Sequence, residues 1–506
     1  MFRAAFVIRV RGQVLLIFLT GKISLDNASP APLVVDLDGT LTPTDTLVES
    51  VIQLVKGAPL NVLRLPFWLI GGRSAFKDAI AHRTRLAAEH LPYREALLTY
   101  LEEERANGRK IILATAAHRD IADAVARHLG IFDQVLASDK ACNLKGPAKL
   151  GLIRDAVGQR FVYAGDSRAD LPIWASADAA ILVGVKPDVT RIVRRDVRVE
   201  REFRNEHAGM KDWLRAMRVH QWVKNLLLFV PLLTAFSFFE IGRIAAIFVA
   251  FCAFSLTASA TYIFNDLFDL ESDRTHPRKS KRPFASARLS ILHGVAVALA
   301  LLAFGIGFAF ALSTGFGAVL LIYLVSTSTY SLVFKHYVLV DVIVLSLLYT
   351  LRILAGAVAI GVGVSPWLLA FSVFIFISLA LVKRCSELVV SDQMGRTAVL
   401  GRDYRVADLV VLWPLGVGAS LAAVVVFGLF ISAVETLARY ATPQLLWCVA
   451  IGLIYWLARL WIKTSRGEMH DDPVVYAVKD RGSRLTVLGM VVAVVIGRFV
   501  YLGDLF

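Results

Sequence analysis

The segment NDLFDLESDRTHPRKSKRP, residues 265–283, separates two long apolar stretches of the chain. Its polar residues Asn265, Asp266, Asp269 and Asp273 have spacings of three, four and seven residues, which place them on one face of a helix. Carboxylates beside a membrane helix are costly and usually mark a functional site. The segment therefore predicts a chain that crosses a membrane and carries a polar site where one membrane helix ends.

The flanking stretches belong to a series of apolar segments that fills the second half of the chain. Hydrophobic residues make up 57% of the 506 positions, which is too many for one soluble domain. Each apolar segment is close to the roughly 20 residues that span a membrane as a helix. We therefore predict an all-α integral membrane domain of about nine helices, at 222–238, 243–264, 291–312, 316–334, 338–360, 366–382, 409–432, 444–462 and 485–503.

Lysine and arginine are concentrated in the loops after the second, fourth, sixth and eighth predicted spans. The positive-inside rule places these loops and the N-terminal half in the cytoplasm and the C-terminus outside, in a multi-pass protein of the inner (cytoplasmic) membrane. With so apolar a composition, the net charge of +14 favours anionic lipids or phosphorylated substrates over nucleic acid. The sequence is compatible with a homo-oligomer.

The chain changes character near residue 200, and we divide it into four regions. These are an N-terminal tail, a soluble domain, a charged linker and the membrane domain, at 1–30, 31–190, 191–215 and 216–506. The tail is interpreted as a peripheral segment on the membrane or as an extension from an early start codon. The four cysteines are scattered and predict neither a disulfide framework nor a zinc site.

The soluble region alternates strand-like apolar runs with segments of helical periodicity. The runs APLVVDLDGT at 31–40, KIILATAA at 110–117 and RFVYAGDS at 160–167 each end in polar residues. This alternation predicts an α/β fold with a parallel sheet covered on both faces. Ligands of such sheets collect beyond the carboxyl ends of the strands, so these polar residues are candidates for an active site.

Two carboxylates, Asp36 and Asp38, follow the first of these strands. Asp36 is a candidate nucleophile toward phosphorus, and Asp38 is a candidate proton donor and acceptor. At the end of the second strand, Thr115 would supply a hydroxyl to a phosphate oxygen. Together these residues predict chemistry on a phosphate ester.

The same chemistry calls for a cation and a metal site. Lys145 is the candidate cation that neutralises the phosphoryl group, and Lys149 is an alternative that the sequence leaves open. Asp166 and Asp170, in GDSRAD after the third strand, would complete with the two earlier aspartates an oxygen site for Mg²⁺.

These four elements, in this order, resemble the haloacid dehalogenase phosphatases over about residues 31–190. The resemblance implies a Rossmann-like parallel sheet with a helical cap. It also implies an aspartyl-phosphate intermediate on Asp36 and attack by water assisted by Asp38. The cap would lie between Asp45 and about Arg105, where PLNVLRLPFWLIGGRSAFK is unusually apolar. This stretch is interpreted either as cap core or as a membrane-facing, lipid-binding surface.

In the opening segment, the acids are followed by Arg274, Lys279 and Arg282. Carboxylates on one helical face attract Mg²⁺, which proteins commonly share with diphosphate oxygens. The bases would hold the phosphate oxygens that the metal leaves free. The segment thus predicts a second magnesium site, with Asp266 and Asp269 as its principal ligands and the other two polar residues of the face in support.

This acidic segment resembles that of the UbiA superfamily of intramembrane prenyltransferases. Four further segments resemble its decaprenyl-phosphate phosphoribosyltransferase branch: HQWVKNLLLFVPLL at 220–233, YSLVFKHYVLVDVIVLSLLYTLRILAGAVA at 330–359, LVKRCSEL at 381–388 and DDPVVYAVKDRGS at 471–483. They contain the remaining candidate substrate-binding residues Lys224, Tyr330, Lys335, Lys383, Arg384 and Glu387.

A departure from the family pattern favours the same branch. Ordinary members carry a second acidic DxxxD motif after the sixth span, whereas Lys383 stands here in place of its first acid. Lys383 and Arg384 beside a single Glu387 suit additional phosphates better than a second Mg²⁺. Asp341 and Arg352, in the fifth predicted span, are structural as readily as catalytic.

The resemblance implies transfer of 5-phosphoribose from phosphoribosyl diphosphate to a polyprenyl phosphate. The soluble domain would then remove the ribose 5-phosphate, giving polyprenyl-phosphoryl-ribose for cell-envelope glycan synthesis. Two alternatives stay open. One is an aromatic-acceptor prenyltransferase that uses a polyprenyl diphosphate beside an unrelated phosphatase. In the other, the soluble domain is a regulatory module.

Overall fold

A computed structural model of the chain describes two compact units, Met1–Asn205 and Glu206–Phe506. The described residues are 5–10, 13–18, 30–139, 144, 146–205, 208–398, 402–469 and 472–501. Lys145 lies outside them.

The first unit contains the predicted parallel sheet, whose six strands have the order β5-β4-β3-β6-β7-β8. Its strands are β3 (Leu33–Val35), β4 (Ile111–His118), β5 (Gln134–Ser138), β6 (Val162–Gly165), β7 (Ala179–Val183) and β8 (Val199–Phe203). Leu33 and Val35 lie in one apolar core and Val34 in the other, so β3 is buried on both faces. Alternate side chains of a strand point to opposite faces, which is why an unbroken apolar run suits this central position.

Helices cover both faces of the sheet and extend into the region predicted as a cap. They are α1 (Thr46–Gly57), α2 (Leu65–Ile70), α3 (Arg73–Ala81), α4 (Glu95–Ala106), α5 (Arg119–Leu129), α6 (Pro147–Val157), α7 (Leu171–Trp174) and α8 (Pro187–Asp196), with 3₁₀ turns at Pro59–Arg64, Ala88–His90 and Arg168–Asp170. Leu97 and Leu101 of α4 are buried in a core of the sheet. The cap is therefore shorter than predicted and consists of α1 to α3.

Two predicted boundaries differ from the structure. The proposed linker 191–215 contains β8, which pairs with β7 as the edge strand of the sheet. Its sequence VEREF has three charged residues between two apolar ones, so a half-exposed edge strand looks like a charged connector in the sequence. The proposed tail 1–30 contains an antiparallel pair of strands, β1 (Ala5–Val10) and β2 (Gln13–Phe18).

The second unit is helical. Its helices are α9 (Met210–Ala216), α10 (Val230–Thr234), α11 (Ile241–Phe268), α12 (Leu270–Thr275), α13 (Ile291–Leu312), α14 (Thr314–Leu332), α15 (Val340–Ile360), α16 (Pro366–Gln393), α17 (Leu409–Ser432), α18 (Val434–Leu437), α19 (Leu446–Ser465), α20 (Pro473–Lys479) and α21 (Arg481–Phe499). Short 3₁₀ segments lie at Val219–Phe229, Lys279–Lys281, Phe334–His336, Val406–Asp408 and Pro443–Leu445. Within the described part of the chain, eight helices are long and apolar enough to cross a membrane: α11, α13 to α17, α19 and α21.

The first predicted span, at 222–238, is not one long helix. It consists of the 3₁₀ segment Val219–Phe229 followed by α10. It runs along α11, where Trp222 donates to Ser259 at 2.9 Å, and Phe236 beyond its end packs against Phe499 at the end of α21. A 3₁₀ helix rises about 2.0 Å per residue, so these 16 residues extend roughly 30 Å, the thickness of a bilayer core. The segment therefore runs the length of a span with fewer residues than a regular helix.

A glycine permits this segment to pack closely in the bundle. A Cβ on Gly356 of α15 would lie 2.0 Å from the carbonyl oxygen of Leu228. No side chain fits in such a short distance from a backbone oxygen. The two backbones therefore come this close only because residue 356 is glycine.

We expect Gly356→Ala to destabilise the protein by about 1–3 kcal/mol, because the new methyl group forces the two backbones apart. The measurement is thermal unfolding of the purified protein in detergent. Gly307→Ala is the matched control, since a Cβ at Gly307 of α13 meets nothing within 4 Å. Equal melting temperatures for the two variants would contradict the packing argument.

Candidate functional sites

The first site lies at the carboxyl ends of β3 and β6. Asp36 directly follows β3, and its Oδ1 accepts a hydrogen bond from the Leu37 amide at 2.8 Å. The ammonium of Lys149, on α6, is 2.8 Å from Asp36 Oδ2. Burial raises the pKa of Asp36, and the adjacent lysine opposes that rise. Of the two lysines left open by the sequence, Lys149 is thus placed against the candidate nucleophile.

Three carboxylates of this site are close enough to bind one ion. Oxygens of Asp36, Asp166 and Asp170 lie within 4.8 Å of one another. Gly39 makes room for them, since a Cβ there would lie 2.2 Å from Asp166 Oδ2 and its φ is +78°. Burial raises the pKa of Asp166 to about 7, and the neighbouring carboxylates Asp170 and Asp36 contribute to the rise, as expected for crowded, buried acids. The all-oxygen donor set fits Mg²⁺.

Asp38 lies apart from this group of three, contrary to its prediction as a fourth metal residue. Its Oδ1 accepts a hydrogen bond from the Thr46 amide, the first residue of α1, at 2.9 Å. Burial, together with Asp45 and Asp36, raises the pKa of Asp38 to about 7. A carboxyl group that gains and loses a proton near neutral pH suits the predicted role of acid and base. Thr115 is fully buried, and its hydroxyl accepts from the Ala117 amide at 3.0 Å.

Two residues not singled out from the sequence support this site. The Tyr163 hydroxyl accepts from Lys149 at 2.7 Å and donates to Asp170 Oδ1 at 3.0 Å. Arg94 donates to the carbonyl oxygens of Gly39 and Thr40, both at 2.9 Å, and so holds the loop that carries the two catalytic candidates. Tyr163 is the only polar residue in the apolar run FVYA, which is the one signal that marked it.

A second group of possible metal ligands, Asp78, His82 and His118, links α3 to the end of β4. His82 Nδ1 lies 2.9 Å from the Asp78 carbonyl oxygen, and His118 Nδ1 accepts from the Asp120 amide at 3.3 Å. The neutral His118 ring therefore carries its proton on Nε2, which faces Asp78 at 3.6 Å. We interpret the group as a polar contact between cap and sheet.

We expect Lys149→Met to lower hydrolysis of a soluble phosphate ester by about 10²–10³-fold, the usual cost of removing one charge-stabilising donor. The assay is steady-state turnover of p-nitrophenyl phosphate by the full-length protein with Mg²⁺. Lys145→Met is the matched control and should retain most activity. The reverse result would transfer the role to Lys145.

The second site lies at the junction of α11 and α12, in the segment that opens the membrane prediction. Asp266 is almost fully buried and pairs with Arg218 and with Arg282, whose Nη1 is 3.2 Å away. The same Nη1 is 2.6 Å from Asp273 Oδ2. Arg282 thus bridges two of the predicted metal ligands, and Arg218 was missed from the sequence.

The four polar residues of this segment do not share one helical face as predicted. Helix α11 ends at Phe268, Asp269 is its C-cap, and Asp273 belongs to α12. Asn265 turns toward α14 and donates to Ser331 at 3.2 Å. In the described part of the membrane unit, no three acidic, histidine or cysteine side chains lie close enough to form a metal site.

One oxygen of this segment still lacks a hydrogen-bond partner. Asp273 Oδ1 is buried and has no hydrogen bond, and Lys279 Nζ is 3.9 Å away from it. Burial raises the pKa of Asp273 despite the adjacent Arg282. A buried carboxylate oxygen without a hydrogen bond, beside a second acid, fits a divalent cation.

Two predicted binding residues, Lys224 and Lys383, meet at Asp472, which precedes α20. Lys224 Nζ is 2.7 Å and Lys383 Nζ 3.6 Å from the same oxygen, Asp472 Oδ2. Burial opposes ionisation of Asp472, but the two lysines hold its pKa below the usual value. Two ammonium groups around one carboxylate leave a net positive charge, which favours an anion.

Arg218 connects the acidic segment with these lysines. Its guanidinium lies over the ring of Tyr262, 5.0 Å from the centroid, and Arg218 directly precedes the 3₁₀ segment that carries Lys224. The two groups therefore belong to one polar region at this end of the bundle.

Arg384, predicted as a phosphate clamp, is already neutralised inside the protein. Its side chain is 1% exposed and lies 2.7 Å from Asp341 Oδ2 and 2.6 Å from Glu387 Oε2. Its third contact is the Tyr330 hydroxyl at 3.3 Å. The reason is that α16 continues to Gln393, beyond the predicted end at 382, and so keeps Arg384 within the helix.

Asp341, on α15, is the centre of this ion-pair network. It is fully buried, and it accepts hydrogen bonds from Arg402 at 3.0 Å and from the Tyr404 hydroxyl at 2.5 Å. Of the other predicted residues, Arg274 donates to the Ala285 carbonyl oxygen at 3.2 Å, and Lys335 lies in the 3₁₀ turn between α14 and α15.

We expect Asp341→Asn to destabilise the protein by about 3–5 kcal/mol, because it leaves buried Arg384 short of one countercharge. The measurement is the unfolding temperature in detergent. Asp392→Asn, a change of the same type on an exposed residue of α16, is the control and should have little effect. Similar losses from both changes would contradict the role of the network.

The comparisons with known proteins agree with both halves of the chain. Residues 226–479 match the UbiA prenyltransferase family, and 33–174 match haloacid dehalogenase-like hydrolases. The chain therefore belongs to the UbiA prenyltransferase family and carries a fused haloacid dehalogenase-like domain, which confirms the predicted fold classes. It is an integral membrane protein with several apolar helices.

Three relatives match different shares of the chain. An uncharacterized protein of Sinorhizobium fredii, y4nM, is 41% identical over 89% of this chain and 88% of its own length. The nodulation protein NoeC of Azorhizobium caulinodans is 37% identical over 56% of this chain and 92% of its own. The decaprenyl-phosphate phosphoribosyltransferase of Mycobacterium tuberculosis is 31% identical over 43% of this chain and 72% of its own.

Proposed function

We propose that the membrane unit transfers 5-phosphoribose from phosphoribosyl diphosphate to a polyprenyl phosphate. The observation that carries the proposal is the pair Lys224 and Lys383 on Asp472, in a family whose ordinary members have an acidic motif near Lys383. Two substrates with several phosphate groups require positive charge beyond that of one metal ion. Relatives named decaprenyl-phosphate phosphoribosyltransferase support the same transferred group and the same kind of acceptor.

In this reaction the bond between ribose C1 and the diphosphate oxygen breaks, and its electron pair leaves with pyrophosphate. An oxygen of the lipid phosphate, already ionised, forms the new bond to C1 and needs no base. Asp266, Asp269 and Asp273, supported by Asn265, would hold Mg²⁺, which supplies charge neutralisation for the leaving diphosphate.

The arginines of the acidic segment have two states in this proposal. Without substrate, Arg218 and Arg282 neutralise Asp266 and Asp273. With diphosphate present, they turn to phosphate oxygens, for which the planar guanidinium is well suited. Lys224 and Lys383 bind the remaining phosphates, and Arg274, Lys279 and Lys335 add positive charge at the same loops.

The soluble unit then removes the ribose 5-phosphate. Asp36 attacks the phosphorus atom while Asp38 gives its proton to the departing ribose oxygen. Asp38 next takes a proton from the water that opens the aspartyl phosphate, and inorganic phosphate leaves. Lys149 neutralises charge around Asp36, and Asp36, Asp166 and Asp170 would hold Mg²⁺, which supplies countercharge for the phosphoryl oxygens. The final product is polyprenyl-phosphoryl-ribose, for cell-envelope glycan synthesis.

We further propose the cytoplasmic membrane as the location, with the soluble unit and the basic loops in the cytoplasm and the C-terminus outside. Phosphoribosyl diphosphate is a water-soluble cytoplasmic metabolite in this scheme, which requires the basic loops on that side.

The test is incubation of the purified protein with labelled phosphoribosyl diphosphate, Mg²⁺ and a polyprenyl phosphate, followed by mass spectrometry of the lipid. We expect ribosyl lipid from the parent protein and phosphoribosyl lipid from Asp36→Asn, because only the second step needs Asp36. The matched control Asp266→Asn should give neither lipid and should still hydrolyse p-nitrophenyl phosphate.

Absence of ribose on lipid from both the parent and Asp36→Asn would reject the phosphoribosyl transfer. The family name favours one alternative, prenyl transfer to an aromatic acceptor. Labelled hydroxybenzoate with a polyprenyl diphosphate tests it, and a prenylated aromatic product would identify that reaction.

A further inference from the structure

The outer part of the cap is an apolar segment with no buried residue. It comprises the 3₁₀ turn Pro59–Arg64 and helix α2. Six large apolar side chains project from it: Leu60 78% exposed, Val62 47%, Leu63 68%, Phe67 72%, Leu69 55% and Ile70 83%. Exposure of so many large apolar groups together indicates a binding surface.

The rest of the soluble unit does not share this property. Among its described residues from 30 to 205, Leu152 on α6 is the one other large apolar side chain that is strongly exposed, at 37%. The exposed apolar surface is therefore concentrated in one short segment. This distribution excludes a generally poorly covered core as its cause.

The charge around the segment has one sign. Residues 50–77 contain no aspartate or glutamate, and both Lys56 and Arg64 are exposed. The guanidinium of Arg83, which follows α3, lies over the ring of Trp68, 4.8 Å from its centroid. An apolar helix bordered by basic residues matches a surface with acyl chains below and anionic headgroups above.

We propose that Pro59–Ile70, the cap anchor, inserts its apolar side chains into the headgroup region of an anionic lipid bilayer. A helical segment of 12 residues is too short to cross a membrane. In a bilayer it would therefore lie at the interface between headgroups and acyl chains. Every copy of the chain has a bilayer within reach, because the second unit has eight helices of spanning length among its described residues. The anchor would hold α1 and α3 at the level of lipid headgroups. This inference does not depend on which substrate either unit converts.

The experiment uses the full-length protein in nanodiscs of phosphatidylcholine and phosphatidylglycerol that contain a phospholipid with a diazirine near the headgroup. After irradiation, peptides are mapped by mass spectrometry. We expect adducts in Pro59–Ile70 at a level similar to the ends of lipid-facing α13. Helix α4, on the sheet, should have none. The double variant Leu63→Glu/Phe67→Glu should lose adducts in the cap anchor at least about tenfold, equivalent to about 1.4 kcal/mol of insertion free energy.

Leu152→Glu is the matched control, an equally severe change at the other exposed apolar residue, and it should leave the adducts unchanged. Wild-type discs with adducts in α13 but none in Pro59–Ile70 would overturn the proposal and assign the surface to a protein partner. An equal loss in Leu152→Glu would overturn it as well. Failure of the ribosyl transfer would leave these labelling results unaltered, so the two proposals are tested separately.

Discussion

A charge inside a bundle of apolar helices is stable only beside a charge of opposite sign, and this constraint organises the second unit. Asp341 illustrates it most simply. Its carboxylate, fully buried on α15, contacts Arg384 of α16 and Arg402 of the loop that precedes α17. Three parts of the chain are thereby held together by one side chain, and the surplus positive charge is taken up by Glu387. The network is closed and has no need of a ligand.

The polar region around Asp266 and Asp472 satisfies the same constraint only in part. Arg282 is shared between Asp266 and Asp273, yet one oxygen of Asp273 keeps no hydrogen bond. Asp472 has two lysines where one would neutralise it. A region with both a carboxylate oxygen that lacks a hydrogen bond and excess cations suits a ligand that contributes both signs, as a magnesium-bound phosphate does. At Asp341 the charges are fully paired, whereas here they are not. This difference distinguishes structural charges from binding charges better than residue type does.

Much of this was predictable from the sequence, because it depends on local patterns. The apolar run before Asp36 and the lengths of the membrane segments specified strands and spans directly, and the sheet and eight helices confirm them. What failed depends on contacts distant in sequence. Arg384 looked like a phosphate ligand because Asp341, 43 positions away, was not known to lie beside it. The segment 222–238 looked like a regular helix, since no local signal shows the close approach to the Leu228 backbone that Gly356 of α15 permits.

The two units solve the chemistry of phosphate in different ways, which gives a physical reason for their fusion. The first has an acid nucleophile with a lysine at 2.8 Å, an arrangement made to break a bond to phosphorus. The second has acids paired with arginines and, at Asp472, with two lysines. We interpret this arrangement as one that binds phosphate groups without breaking a bond to phosphorus. A transferase that leaves a phosphate on its product creates a substrate for a phosphatase. In the proposed reaction sequence, one chain would supply both activities in equal number at one membrane, and the lipid-bound product would diffuse in two dimensions between them. Under this interpretation, membrane confinement alone keeps the intermediate near the phosphatase.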